Sequence, residues 1–402
     1  MTASTRSRPL ALVAALAVLL TLAPTGQASA QQADPAERTV SLVQRPDGSL
    51  EVVTGPSFAA VTGTVLVTEA DTVLHPAGRT YEYTSSGTVT DELRPEQWNL
   101  DDLQAERVWQ AVTGEDQVIA IVDTGVDGDH PDLEDRLVEG WSATGRDELV
   151  DDQGHGTHVA GIAAASVGDD YGVAGLAPEA GLMSVQVTGE DGSAYASDVS
   201  RGVIWAADHG ATVINISLAG PRESQVLNAA IDHAVDAGVV VVVAAGNAHG
   251  NGNPVMYPAS HPRVLAVGAL RDAETRSAFS STGDYVDIAA PGSAIMSTRP
   301  RDAWGYASGT SMAAPLVAGA AALLRSHDSS LSVDEVHALL MDSARDLGRK
   351  GHDDDFGAGA VDVIAALTAM GEDLTEPEPE PEPEPQAEVR VPRPTYGHFS
   401  RG

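Results

Sequence analysis

Three short stretches of this chain hold residue types that together could carry out acyl transfer. The first, Gly309-Thr310-Ser311-Met312-Ala313-Ala314-Pro315, sets a serine between a glycine and a run of small residues that opens an apolar helix, predicted to reach about Leu324. A hydroxyl there sits among free backbone N–H groups at the positive end of a helix dipole, so it can attack a carbonyl while its own N–H holds the oxyanion. Taken alone, Ser311 reads as a helix cap. The second stretch, Ala120-Ile121-Val122-Asp123-Thr124-Gly125, is an apolar strand ending in a carboxylate, and the third, Gly154-His155-Gly156-Thr157-His158-Val159-Ala160-Gly161, brings a glycine-flanked histidine into a helix. Asp123 alone is ordinary turn chemistry and His155 is one of twelve histidines, but the three stretches together supply orienter, base and nucleophile. His158 is expected to pack inside its helix.

In that chain order, Asp then His then Ser, residues from about Trp98 to Met370 resemble the subtilisin family of serine proteases, the subtilases. The resemblance implies that Asp123, His155 and Ser311 form the triad. It also implies that Asn247, in Ala244-Ala245-Gly246-Asn247, donates to the oxyanion opposite the Ser311 N–H. Substrate would lie extended between two edges, Gly192-Ser193-Ala194 and Ser217-Leu218-Ala219, with Met256, before Tyr257-Pro258, at the base of the primary pocket. Ala194 and Ala219 stand where the family more often has glycine; with Met256 filling the pocket base and Ala219 narrowing one wall, medium apolar residues such as Leu, Met or Ala are expected before the scissile bond over Phe and Tyr. Apart from the resemblance, Asn247 reads as a turn residue, the two edges as surface loop and strand end, and Met256 as a core residue. No cofactor is expected for catalysis. Calcium is a candidate structural ion, with Asp132 and, in the Gly168–Gly172 loop, Asp169 and Asp170 as ligands; the alternative is a plain acidic turn. No counterpart of the family's N-terminal Gln ligand is identified.

The elements that must position these groups follow from periodicity. Strand-like runs fall at 118–122, 182–187, 212–216, 239–244, 264–267 and 285–288, and helical runs at 155–165, 197–207, 223–237, 310–324, 333–344 and 361–370. Continuous runs such as Val239 to Val243 belong to parallel strands covered on both faces. The expected fold is therefore α/β, a doubly wound, mostly parallel, subtilisin-like sheet with sites beyond the carboxyl ends of its strands, where Asp123 and Asn247 fall.

Composition sets the outer bounds. A formal net charge of −35 argues against nucleic acid or an anionic membrane as partner, and 43% hydrophobic residues over 402 positions can build one large core. Residues 1–30 read as a signal peptide, with Arg6 and Arg8 before an apolar run from Leu10 and Ala28-Ser29-Ala30 as a cleavage site. Export without cysteine leaves the fold to its core and to any bound metal. The mature protein is expected to be secreted, extracellular or wall-associated, monomeric, and without a transmembrane segment. Residues 31–93, with alternating stretches at 49–53, 64–67 and 80–84, take the position of a propeptide, released near Asp91 to Gln97; a retained N-terminal domain is the alternative. The catalytic domain is placed at 94–371 and an extended tail at 372–402. That tail holds five Glu-Pro pairs, Glu376 to Pro385, then a basic end that is either a wall-polymer anchor or unpartnered. Two functions stand open: a secreted endopeptidase acting on polypeptides, and a catalytically silent subtilase-like binding module.

Overall fold

The computed structural model describes residues 39–55, 64–76, 78–80, 91–168 and 172–374. The expected signal peptide, Asp169, Asp170 and the Glu-Pro tract lie outside these residues.

The central sheet runs in the order Thr275–Arg276, Leu265–Asp272, Val240–Ala244, Val213–Ile216, Val118–Asp123, Gly181–Gln186, Leu137–Ser142, with Ile288–Pro291 also paired to Leu265–Asp272. All its pairings are parallel except that of Thr275–Arg276. Strand Val118–Asp123 is the pivot: the chain first builds to one side of it and then crosses to Val213–Ile216 on the other. That reversal opens a crevice at the carboxyl ends of these two strands. Val240 to Ala244 are fully buried, which accounts for their unbroken apolar run. The strand expected at 285–288 forms instead at Ile288–Pro291, because Gly283 and Val286 are taken up in a turn (Val286 N to Gly283 O, 3.1 Å).

Helix Thr310–His327 is buried from Thr310 to Arg325, which explains a sequence that is apolar all round. It packs on helix His155–Ala164 and on the central sheet. Helices Ala196–Asp208 and Gln225–Asp236 pack against each other and carry the N-terminal sheet, ordered Leu50–Thr54, Thr39–Gln44, Thr64–Ala70, all antiparallel. Two carboxylates dock it. Glu69 accepts from Gln225 N (2.8 Å), Val226 N (3.1 Å) and the Ser224 hydroxyl, and Asp71 accepts from Ser197 N (3.0 Å) and Oγ (2.5 Å). Each satisfies orphan N–H groups at the start of one helix and faces its positive end.

Sequence periodicity missed strand Val73–Pro76, which is too short to show a period. It lies between Ala194–Tyr195 and Leu218–Ala219 and pairs antiparallel with both. Farther on, Gly78–Thr80 pairs antiparallel with Ala303–Gly309, the strand leading into Ser311. Residues expected as strand at 81–84 lie outside the described set.

Candidate active site

Asp123 ends the pivot strand and is wholly buried. Its Oδ1 accepts from Thr124 N and from His155 Nδ1, both at 2.7 Å. His155 opens its helix at the level of that carboxylate because Gly156 lets the helix approach: a Cβ there would lie 2.1 Å from the Gly125 carbonyl oxygen. Gly156 N also donates to Thr124 Oγ1 at 2.8 Å. Burial alone would lower the pKa of His155, but the charge and hydrogen bond of Asp123, with Asp151 beyond, outweigh it and raise the value above the ordinary 6.5. His158 behaves oppositely. It is buried, its Nε2–H donates to Gly305 O at 3.0 Å, and burial pushes its pKa down to about 3, so it stays neutral inside its helix as expected.

Ser311 stands in the first turn of its helix, fully buried. Pro315, four residues on, has no N–H to give the Ser311 carbonyl, which accepts instead from Ser217 Oγ at 3.1 Å. In return Ser311 Oγ donates to Ser217 O at 2.9 Å, while His155 Nε2 is buried without a hydrogen-bond partner. The Asp–His bond is thus made and the Ser–His bond is not; bringing the hydroxyl to the imidazole requires rotation about the serine Cα–Cβ bond.

Asn247 follows strand Val240–Ala244. Its Oδ1 accepts from Thr310 N (3.0 Å) and Thr310 Oγ1 (3.2 Å), which identifies the other end of the amide as the donor nitrogen. Gly246 N is held by Thr310 Oγ1 at 3.0 Å, tying this loop to the helix that bears Ser311. Met256 is buried in the main core cluster and lies over this loop, its Cγ 2.7 Å from where a Cβ on Gly246 would sit.

The two expected edges come together around one strand of the chain itself. Val73 pairs with Tyr195 and Leu74 with Ala194, while His75 pairs with Ala219 and Pro76 with Leu218. Leu74 is buried against Gly220, where a Cβ would come 3.1 Å from Leu74 Cδ2. Gly192 and Ser193 belong to the turn before Ala194, Ser193 donating through N (3.1 Å) and Oγ (2.7 Å) to Asp191.

Asp132 is remote from these groups in its contacts. Its buried carboxylate accepts through Oδ2 from Val173 N (2.9 Å) and Trp304 Nε1 (2.7 Å). Gln97, not singled out in the sequence, is buried and bonds both ways with Ala174, Nε2 to O at 2.8 Å and N to Oε1 at 3.0 Å. Among the described residues no three His, Asp or Glu side chains gather as a metal site. Through Oδ2, which accepts from two N–H donors, Asp132 tethers the loop that carries Val173.

Residues 114–359 match the model of the subtilase family. Thermitase of Thermoactinomyces vulgaris is 44% identical over 237 residues, covering 59% of this chain and 84% of thermitase. Subtilisin of Bacillus pumilus is 40% identical over 259 residues, covering 64% and 93%. Among solved structures, fervidolysin of Fervidobacterium pennivorans, a keratinolytic enzyme related to subtilisin, superposes with a TM-score of 0.71 at 28% identity, covering 83% of this chain and 61% of fervidolysin. A protease of Pseudoalteromonas arctica PAMC 21717 gives a TM-score of 0.63 at 30% identity, covering 70% and 99%.

Proposed function

Since this chain belongs to the subtilase family and is a subtilisin-like serine endopeptidase acting on polypeptides, we propose that Ser311 is its nucleophile, His155 its general base and Asp123 the group that orients and charges the base. The observation that carries the assignment is the buried 2.7 Å bond between Asp123 and His155 Nδ1, on a helix packed against the one that bears Ser311. Ser311 Oγ adds to the peptide carbonyl and gives its proton to His155 Nε2. His155 passes that proton to the leaving amine, the C–N bond breaks, and water releases the acyl group by the same route in reverse. The Ser311 N–H and the Asn247 amide hold the oxyanion. Because His155 must be neutral to act, and Asp123 raises its pKa, activity should fall as pH drops through that raised value.

Residues 39–77 act, in this reading, as an inhibitory pro-segment. The chain changes partner at the catalytic serine: Pro76 is the last paired residue on the Ser217–Ala219 edge, and Gly78 the first on the strand before Ser311. In this reading the acyl side ends between Pro76 and Gly78, and we take Ala77–Gly78 as the bond that Ser311 cleaves. It is offered as an alternative to the release point expected at Asp91 to Gln97, where Asp91–Glu96 forms a 3₁₀ helix and Gln97 is buried and bonded to Ala174. Export follows from the sequence of residues 1–30; among the described residues no helix is long and apolar enough to cross a membrane. Met256 narrows the primary pocket toward medium apolar side chains. The silent-module alternative draws on the unmade Ser–His bond. Labelling with a serine-directed covalent inhibitor separates the two: loss of caseinolysis with the adduct on Ser311 supports the protease, and an unlabelled, inactive protein overturns it. Mass spectrometry of the active form should place its N-terminus at Gly78.

A further inference from the structure

Gln153 stands two residues before His155, half-buried beside the cleft. Its backbone N–H donates to Asp151 Oδ1 at 3.1 Å. Asp151, buried, also accepts from Gly154 N (2.8 Å), Thr157 N (2.9 Å) and Thr157 Oγ1 (2.7 Å), so this turn is locked to the first turn of the His155 helix. The Gln153 side chain reaches the other way. Its Nε2 donates to the carbonyls of Gly189 (3.2 Å) and Glu190 (2.6 Å), and its Oε1 lies against Gly192, where a Cβ would come within 2.1 Å of it. The turn so gripped is closed on itself by Gly189 N to Ser193 O (2.8 Å) and Gly192 N to Gly189 O (3.1 Å), and Ala194, the residue opposite Leu74, follows directly.

We propose that Gln153 is a positioning residue for extended substrates: one side chain fixes the distance between the His155 helix and the edge at Ala194, and so sets the register in which a long polypeptide presents its bond to Ser311. The proposal rests on the cleft reading given above. Residues 189–193 are otherwise held mainly by their own hydrogen bonds, and Glu190 and Asp191 face solvent. An edge that can shift relative to the imidazole loses the near-attack alignment that a rigid one supplies. With Ala77 as the acyl residue, Leu74 lies three residues before it, so only substrates with at least four residues on the acyl side reach Ala194.

The test compares mature wild type, Gln153→Ala and Gln153→Glu on two peptide series that share the bond cleaved but carry two or five residues before it. Gln153→Ala should lose roughly five- to tenfold more kcat/KM on the long series than on the short one, mostly in KM, as expected for losing two hydrogen bonds to an edge. Gln153→Glu keeps the shape but turns a donor into an acceptor facing two carbonyls, so it should lose at least as much. Equal losses on both series, no loss on the long one, or a Gln153→Glu enzyme that matches wild type would each overturn the proposal. If wild type cleaves neither series in an inhibitor-sensitive manner, the cleft reading fails and the positioning role with it.

Discussion

The N-terminal sheet and the catalytic body are held in place by different physics. The body buries continuous Val and Ile strands beneath helix Thr310–His327, and its elements contribute nearly all of one extended core. Among the described residues the N-terminal sheet adds to that core only Val40, Leu42 and Val52 as buried residues. It is fastened instead by Glu69 and Asp71 at two helix starts and by strand Val73–Pro76 between the two cleft edges. So small a segment cannot bury enough apolar surface to be stable alone. The difference is the one expected if the segment is released as proposed above: it rests on a finished body more than it shares its core.

The largest expected effect removes the step that separates the two regions. Ser311→Ala should fold, lose turnover by about 10⁴-fold or more, and stay joined from the N-terminal sheet through the body, read by mass spectrometry and peptide hydrolysis. Cleavage at Ala77 in that variant would show that another group attacks the bond. Next comes a change confined to the body: Asn247→Ala should lower kcat by about 10²–10³ with a smaller change in KM. An unaltered kcat would leave the Ser311 N–H as the main oxyanion donor. Met256→Gly should shift the preference between Phe and Leu at the residue before the bond by about tenfold toward Phe, the discrimination that one or two methylenes provide. A constant ratio would make Met256 purely a core residue.

Two smaller effects bear on the attachments themselves. In the uncleaved Ser311→Ala background, replacing both Glu69 and Asp71 by Ala should lower Tm by about 3–6 °C, since each lost cap is worth about 1 kcal/mol. The same pair cannot affect the mature form, which lacks those residues, so equal melting of the two uncleaved proteins would refute the caps as fasteners. The loop tether gives the smallest shift. Asp132→Ala should lower Tm by a few degrees with or without chelator, because Val173 N and Trp304 Nε1 lose their acceptor. A chelator-dependent Tm in wild type that vanishes in Asp132→Ala would instead establish calcium at this loop.

Much of the body was legible in the sequence because its signals are local. The Val239 to Val243 run read as a covered strand, and the glycine-flanked His155 as the entry to a helix, each from residues adjacent in the chain. The three stretches proposed as catalytic were legible for the same reason, each being a short motif at a strand end or helix start. The partners of those groups were not. That Ser217 clamps Ser311 and that Thr310 orients the Asn247 amide depend on bonds spanning 94 and 63 residues.

The sequence by itself determined the α/β layering, the chain order of Asp123, His155 and Ser311, and the acidity of the surface, since periodicity, motif and charge are properties of neighbours along the chain. The tertiary structure alone decided that Val73–Pro76 lies between Ala194–Tyr195 and Leu218–Ala219, that Glu69 and Asp71 cap helices far along the chain, and that Pro76 and Gly78 pair with different edges. Strand pairing draws its hydrogen bonds from the backbone, which every residue possesses, so no side-chain pattern announces it. The meeting of His75 with Ala219 and of Gly78 with Gly309 is fixed only when the body's two edges are already in place.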